Sequence, residues 1–127
     1  VGAVWQGQHR LHAYNLCVQA LQHDLQTARL LAALSASSVS LAMLPDSAGP
    51  MLAWQIKKSS QLWSKNSCPL SIAVIWQGGL QQRFGPVFLP GGRSVLSPGR
   101  FTLYNKQLHQ KRSIIISKSG RARVMTD

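Results

Sequence analysis

The sequence predicts an α+β fold in which a long N-terminal helix packs on a largely antiparallel β-sheet. Residues 8–34 contain neither Gly nor Pro and carry apolar side chains at helical spacing. After residues 35–38 the chain changes to short β-branched and aromatic runs separated by Pro, Gly, Ser and Asn. With 127 residues, 45% of them apolar, the chain suits one core, so we expect a single domain over residues 1–127.

The predicted helix, residues 8–34, has an apolar seam whose members are three or four residues apart. They are Leu11, Tyr14, Val18, Leu21, Leu25, Ala28 and Ala32, a spacing that keeps one face of a helix apolar. Further residues broaden this face: Leu16, Cys17, Ala20, Leu30, Leu31 and Leu34. A broad stripe favours packing on a sheet over a two-stranded coiled coil.

The β-rich part is expected over residues 39–125. Its predicted strands are residues 39–44, 51–56, 70–76, 80–84, 87–89, 100–104, 112–117 and 121–125. Turn-forming residues lie between many of them, including glycines within residues 90–92 and at 120. The polar residues 57–66 are expected to form a long loop.

Positive charge dominates the chain and concentrates toward its C-terminus. Fourteen Lys and Arg residues face three acids, Asp24, Asp46 and Asp127, which gives a formal net charge of +11. Nine of the basic residues and one acid lie in residues 83–127. Such a charge distribution attracts polyanions.

The sequence offers little for catalysis or metal binding. Three acids provide no obvious pair for acid–base work, and no Ser stands in a nucleophile-elbow glycine pattern. His9 and His12 lie one helical turn apart with Cys17 nearby, but no second ligand cluster accompanies them, which favours surface histidines. We therefore predict a protein that is not an enzyme, with no cofactor, no metal and no small-molecule substrate.

Two further features have ordinary structural interpretations. The glycine-bearing residues 90–100 lack the helix that follows a phosphate-binding loop, which favours a hairpin turn. Trp54 and Trp76 lie in predicted strands and are expected in the core. Trp63, in the polar stretch, is a candidate for stacking on nucleic-acid bases.

The chain ends in a basic hairpin over residues 118–124. If Ser119 and Gly120 form a two-residue turn, Lys118 faces Arg121 and Ile116 faces Arg123. Alternation then puts one set of residues on a single face: Arg112, Ile114, Ile116, Lys118, Arg121 and Arg123. Like charges directly opposite destabilise a strand pair, so this register predicts a bound anion between Lys118 and Arg121. The alternative is a charged edge strand that only prevents aggregation.

A surface of this kind is expected to contact backbone phosphates without sequence preference, because no base-reading helix accompanies it. Arg121 and Arg123 are the first candidates for DNA contact. The further candidates are Lys118, Arg112 and Lys111, with Lys106 and Arg100 as rim contacts.

Residues 85–124 carry three motifs in succession. The motif residues are Phe88, Pro90 and Gly92, then Gly99, Phe101, Thr102 and Leu103, then Ser117, Gly120, Arg121 and Arg123. This succession resembles the C-terminal region of the FimT/GspH family of minor pseudopilins, with its F-x-P-x-G turn, G-x-F-T-L strand and closing S-x-S/T-G-R-x-R. The preceding residues share the order of elements with that family but few motifs.

The resemblance implies a prepilin with a cleaved leader and an apolar N-terminal half-helix that anchors it in the bacterial inner membrane. The chain from Val1 would then be the periplasmic globular part without that half-helix, extracellular when incorporated in a pilus. Its partners would be other pilin subunits, and it would touch the membrane only through the missing half-helix.

The family resemblance also implies two alternative functions. FimT-type members of type IV pili carry the G-R-x-R motif implicated in binding double-stranded DNA during natural transformation, and the charge of +11 favours this function at or near a pilus tip. GspH-type members prime or cap the pseudopilus of type II secretion, where the basic face would dock an acidic subunit.

A cytoplasmic nucleic-acid module such as a ribosomal protein fits the charge but not the helical seam.

The two cysteines, Cys17 and Cys68, allow at most one intramolecular disulfide. Many relatives carry a Cys after the F-T-L strand, where this chain has Tyr104, so the resemblance implies no particular pairing. Two alternatives stay open: a Cys17–Cys68 bridge, or a buried thiol on the helix face.

Overall fold

The computed structural model describes residues 2–46, 49–68, 72–79, 84–91, 94–96 and 98–126. Its elements are α1 (Gly2–Ala33), β1 (Val39–Asp46), β2 (Gly49–Lys58), β3 (Gln61–Ser67), β4 (Ile72–Gln77), β5 (Val87–Phe88), β6 (Gly99–Asn105), β7 (Gln110–Ile116) and β8 (Ala122–Thr126). The strands form two antiparallel sheets, sheet I in the order β3-β2-β1-β5 and sheet II in the order β4-β6-β7-β8. The predicted α+β class is confirmed, with two sheets in place of one.

Helix α1 buries the predicted seam at every position whose side chain the structure describes; the side chain of Leu11 lies outside that description. Six seam residues are at most 3% exposed: Tyr14, Val18, Leu21, Leu25, Ala28 and Ala32. The predicted broadening is correct only in part, because Leu16, Leu30 and Leu34 are 51%, 58% and 77% exposed. At about 100° per residue, Leu16 and Leu30 lie about 200° from the seam residues Tyr14 and Ala28, and Leu34 follows the end of α1.

The helix also begins earlier than predicted, at Gly2 rather than near residue 8. Gly7 lowers the helix propensity of this first part by roughly 1 kcal/mol, which weakens a helix without ending it. In the described part of the chain, no helix combines the length and the apolar character needed to cross a membrane.

Hydrogen bonds tie α1 to both sheets. On sheet II, the Tyr14 hydroxyl donates to the backbone carbonyl of Leu103 at 2.6 Å. On sheet I, the Trp54 Nε1–H donates to Asp24 Oδ2 at 2.7 Å. Tyr14 and Trp54 are fully buried, so these bonds give their polar atoms the partners that burial requires.

Strand β3 corrects the prediction of a long loop over residues 57–66. Ser59 and Ser60 have φ values of 51° and 69° and connect Lys58 to its partner Gln61, as in a type I′ hairpin turn. The strand escaped detection because it lies at the edge of sheet I and is almost wholly exposed, so it needs no apolar alternation. Trp63 is 55% exposed on this edge, whereas Trp54 is in the core, as predicted.

The glycine-bearing residues after β5 close a hairpin, as predicted. The Leu89 amide donates to the Ser94 carbonyl at 3.0 Å, and Phe88 bridges to Val95. The Gly91 amide donates to the Ala32 carbonyl at 2.9 Å, so this turn also caps the C-terminal end of α1. Of the strand predicted over residues 80–84, residues 80–83 lie outside the described part of the chain, and Phe84 lies in a bend.

Cys17 and Cys68 form a disulfide, which decides between the two alternatives left open by the sequence. The bond joins α1 to the residue that follows β3, with the two Cα atoms 5.6 Å apart. Cys17 is therefore not a thiolate that could join His9 and His12 around a metal. Within the described residues, no group of three His, Cys, Asp or Glu side chains is placed to hold one.

The disulfide predicts a large redox effect on stability. Cys17 and Cys68 are 51 residues apart, and closing a loop of that length stabilises a fold by about 4 kcal/mol in the chain-entropy model. The double variant Cys17→Ser/Cys68→Ser should unfold at a lower urea concentration than the oxidised protein. Reductant should lower the midpoint of the parent and leave the double variant unchanged; equal midpoints for reduced and oxidised parent would contradict the prediction.

Candidate nucleic-acid interface

The turn between β7 and β8 has three residues, Lys118, Ser119 and Gly120, rather than the two predicted. The Gly120 amide donates to the Ser117 carbonyl at 2.9 Å, and the Ser117 amide donates to the Arg121 carbonyl at 3.0 Å. Gly120 has a φ of 89°. This is a three-residue hairpin loop in which a left-handed glycine forms a G1 bulge.

The longer turn moves the strand register by one residue. Ile116 pairs with Ala122, and Ile115 pairs with Arg123, so the predicted pairing of Ile116 with Arg123 is wrong. Lys118 lies in the turn rather than opposite Arg121, so the predicted like-charge pair is wrong too, and with it the argument for an anion between its members. The cause is the glycine, whose positive φ suits a loop position and leaves Arg121 opposite Ser117.

The corrected register puts Arg121 and Arg123 on the outer face of sheet II, the face turned away from α1. On the inner face, Ile114 and Ile116 are fully buried. Because side chains alternate along a strand, the two arginines share the face of Ile115 instead. Both arginines are exposed, so their guanidinium groups remain hydrated while the same hairpin closes the core.

The outer face of sheet II gathers cations from three strands. Arg100 of β6 pairs with Ile115, and Ile115 pairs with Arg123, so the two arginines flank Ile115 with about 10 Å between their Cα atoms. Lys111 lies on the same face, four residues before Ile115. Arg100, Lys111, Arg121 and Arg123 are all exposed, and we call these four residues the cationic face.

The strands that carry the cationic face contain no acidic residue. Residues 47–126 include no Asp and no Glu, and β4, β6, β7 and β8 all lie in that interval. Asp24 is on α1 and accepts its hydrogen bond from Trp54 of sheet I. A phosphate approaching the cationic face therefore meets no fixed negative charge on sheet II.

Arg112 is the predicted contact residue that the structure puts on the inner face. Its Nη1 donates to Asn15 Oδ1 of α1 at 2.7 Å. Its Cζ lies 5.4 Å from the centroid of the Tyr14 ring, in cation–π geometry. These contacts join β7 to the helix, so Arg112 contributes to the packing of α1 and not to the cationic face.

Lys106 and Lys118 lie at opposite ends of sheet II. Lys106 is in the turn between β6 and β7, and Lys118 is in the turn between β7 and β8; both are exposed. The seven residues of β7 separate the two turns by about 24 Å. The two lysines therefore flank the cationic face at its two ends, and a single phosphate cannot contact both.

Helix α1 contributes a cation that the sequence reasoning missed. A Cβ atom built on Gly120 would lie 3.4 Å from Arg29 Nε and from two ring atoms of Phe88, so Arg29 packs against the β7–β8 turn. A groove of about 380 Å³ opens beside this contact, lined by Gln22, Gln26, Arg29, Gly120, Arg121 and Ala122. The only local signal for Arg29 is its helical spacing from Gln22 and Gln26, which is typical of any solvated helix flank.

Replacing Arg112 should cost stability. Arg112→Gln removes the hydrogen bond to Asn15 and the contact with Tyr14, and we expect a loss of about 1–2 kcal/mol in the free energy of unfolding. Lys111→Gln is the matched control, because it removes the same charge from the exposed neighbouring position. Urea unfolding measures both, and equal stability of the two variants would contradict a packing role for Arg112.

Replacing Gly120 should also cost stability, through the backbone. An alanine at φ 89° is strained by about 1–2 kcal/mol, whereas the 3.4 Å distances around its Cβ are ordinary contacts. Gly91→Ala is the matched control, with a φ of 90° and no atom within 4 Å of its Cβ, and it should lose a similar amount. Gly120→Asn should lose less, because Asn tolerates left-handed backbone. Thermal unfolding tests this; a Gly120→Ala variant as stable as the parent would exclude the G1 bulge.

The fold is similar to those of minor pilins and pseudopilins of known structure. The minor pseudopilin EpsH from the type 2 secretion system of Vibrio cholerae superposes with a TM-score of 0.70 at 13% identity, covering 88% of this chain and 95% of EpsH. The type IV minor pilin FimU of Pseudomonas aeruginosa superposes with a TM-score of 0.67 at 16% identity, covering 94% of this chain and 90% of FimU. No protein-family model matches the sequence, and no curated sequence matches it significantly. At these identities the likeness establishes the fold alone, which is that of minor pilins and pseudopilins.

Proposed function

We propose that this chain is the globular part of a type IV minor pilin that binds double-stranded DNA without sequence preference and contributes to DNA uptake in natural transformation. The cationic face carries the proposal. Arg100, Lys111, Arg121 and Arg123 stand exposed on one side of a sheet whose strands include no acid. Guanidinium and ammonium groups on an acid-free surface suit backbone phosphates, which every duplex presents alike.

The G-R-x-R segment supports DNA as the polyanion. Gly120 forms the left-handed position of the turn, and Arg121 and Arg123 follow it on the outer face. The turn is anchored as well by a hydrogen bond from the Val95 amide to the Lys118 carbonyl, 3.0 Å long. An anchored turn holds Arg121 in a defined place, which lowers the entropy lost on binding. From one small face we expect the modest affinity of non-specific binding, roughly 10⁻⁴ to 10⁻⁶ M.

The proposed location is the periplasm, with an inner-membrane anchor outside the chain described here and export from the cell within a pilus. The Cys17–Cys68 disulfide suits this location, because disulfides persist in oxidising compartments such as the periplasm. Other pilin subunits are the proposed partners, and several copies in one filament would raise the avidity for a single duplex. We propose no catalytic role and no cofactor.

A secretion-type minor pseudopilin is the second candidate. The superposition on EpsH, a pseudopilin of a type 2 secretion system, favours it. In that case the cationic face would dock an acidic subunit during assembly and would not bind DNA. The two candidates differ in one measurable property, the affinity of the isolated domain for random duplex DNA at low salt.

The DNA hypothesis predicts a specific loss when the two arginines are neutralised together. Arg121→Gln/Arg123→Gln should weaken binding to unrelated duplexes equally, because both residues contact phosphates. It should also flatten the plot of log K against log salt by about two units, at about 0.9 per phosphate contact. Fluorescence anisotropy with two duplexes of unrelated sequence, over a salt series, measures both quantities.

The matched control is Lys57→Gln/Lys65→Gln, which removes the same net charge from sheet I. Equal losses in the two double variants would mean that the overall charge, and not the cationic face, attracts DNA. An Arg121→Gln/Arg123→Gln variant that binds like the parent would exclude the face as the site. Absence of binding by the parent at high protein concentration and low salt would favour the secretion-type function.

A further inference from the structure

The groove between α1 and the start of β8 has two walls of different origin. Gln22, Gln26 and Arg29 form the helix wall, since spacings of four and three residues keep them on one side of α1. The backbone and side chains of residues 120–122 form the other wall. Its volume of about 380 Å³ lies within the range of roughly 300–1,000 Å³ typical of small-molecule sites.

The walls of this groove carry positive charge and hydrogen-bond donors, and no acid. The residues that line it include two arginines and two glutamines. Asp24, on the same helix, points to the other side, where it accepts the Trp54 hydrogen bond. On the strand wall no acid is available, because residues 47–126 contain none.

Arg29 is held close to the turn that carries the G-R-x-R segment. Its Nε lies 3.4 Å from the position of a Cβ on Gly120, and the next residue in the chain is Arg121. Gly120 is buried in this contact. Arg121 lines the groove and directly precedes β8, the edge strand of sheet II.

We propose that this groove binds a phosphate of the DNA backbone between Arg29 and Arg121, with Gln22 and Gln26 donating amide hydrogen bonds to its oxygens. The proposal rests on the proposed function and extends it, because it adds a DNA-binding residue from the helix. A guanidinium group matches two phosphate oxygens at once, whereas an ammonium group does not. The duplex would then run from the cationic face around the edge of β8 toward α1.

The first test compares Arg29→Gln and Arg29→Lys with Lys65→Gln, which removes one charge from sheet I. Arg29→Gln should weaken binding of random duplex about tenfold, as expected for a lost charge-assisted hydrogen bond, and should flatten the salt plot by about 0.9 units. Arg29→Lys should recover the salt slope but only part of the affinity. Thermal unfolding of each variant checks that the fold is retained.

A second variant keeps the test decisive if Arg29→Gln unfolds. Gln26→Glu places a carboxylate in the groove with little change in volume or helix propensity, and it should weaken duplex binding at least as much as Arg29→Gln. Arg29→Gln and Gln26→Glu variants that bind like Lys65→Gln, while Arg121→Gln/Arg123→Gln loses binding, would overturn the groove and leave the proposed function intact.

Titration with inorganic phosphate tests phosphate binding in the groove independently of DNA binding. Side-chain amide signals of Gln22 and Gln26 in NMR spectra should shift saturably with phosphate, and Gln26→Glu should abolish the remaining shift at Gln22. Absence of any shift would overturn the groove as a phosphate site. If the Gln22 and Gln26 amide signals shift with phosphate but the protein does not bind duplex, the groove is a phosphate site and the phosphate it binds does not come from DNA.

Discussion

The burial of one apolar stripe of α1 against two sheets is the interaction on which the rest of the structure depends. Tyr14, Leu21 and Leu25 lie at most 1% exposed in this stripe. Hydrogen bonds from Tyr14 to sheet II and from Trp54 to Asp24 fix the helix to both sheets. The disulfide adds a covalent bond between the helix and the side of sheet I. The helix therefore holds the two sheets in a fixed relative position. That position sets the distance from α1 to β8.

The second constraint is local and decides where the charges point. A glycine at φ 89° adds one residue to the last turn, and one residue of register transfers a whole strand face to the other side of a sheet. Ile114 and Ile116 therefore complete the core while Arg121 and Arg123 stay in water. The opposite register would turn Arg121 and Arg123 toward the face of Ile114 and Ile116, where the observed pairing puts Ala122 and Val124.

Cations of the C-terminal third divide between two roles that composition does not distinguish. Arg112 packs on Tyr14 and bonds to Asn15, whereas its neighbour Lys111 belongs to the cationic face. A chain without acids from residue 47 to residue 126 repels itself when folded, and the buried seam and the disulfide offset that repulsion. A polyanion that binds this acid-free surface would screen the repulsion among its cations.

The sequence by itself determined the α+β class, the helix seam and the basic C-terminal hairpin, because spacing and composition are properties of the chain alone. Only the tertiary structure decided the division into two sheets, the edge strand β3 and the Cys17–Cys68 pairing. The same holds for the strand register and for the approach of Arg29 to Gly120. Strand β3 was not predicted because an edge strand needs no apolar pattern. The register of β8 was not predicted because the length of its turn depends on one φ angle. Contacts between distant segments depend on how the helix lies across both sheets, which no local spacing records.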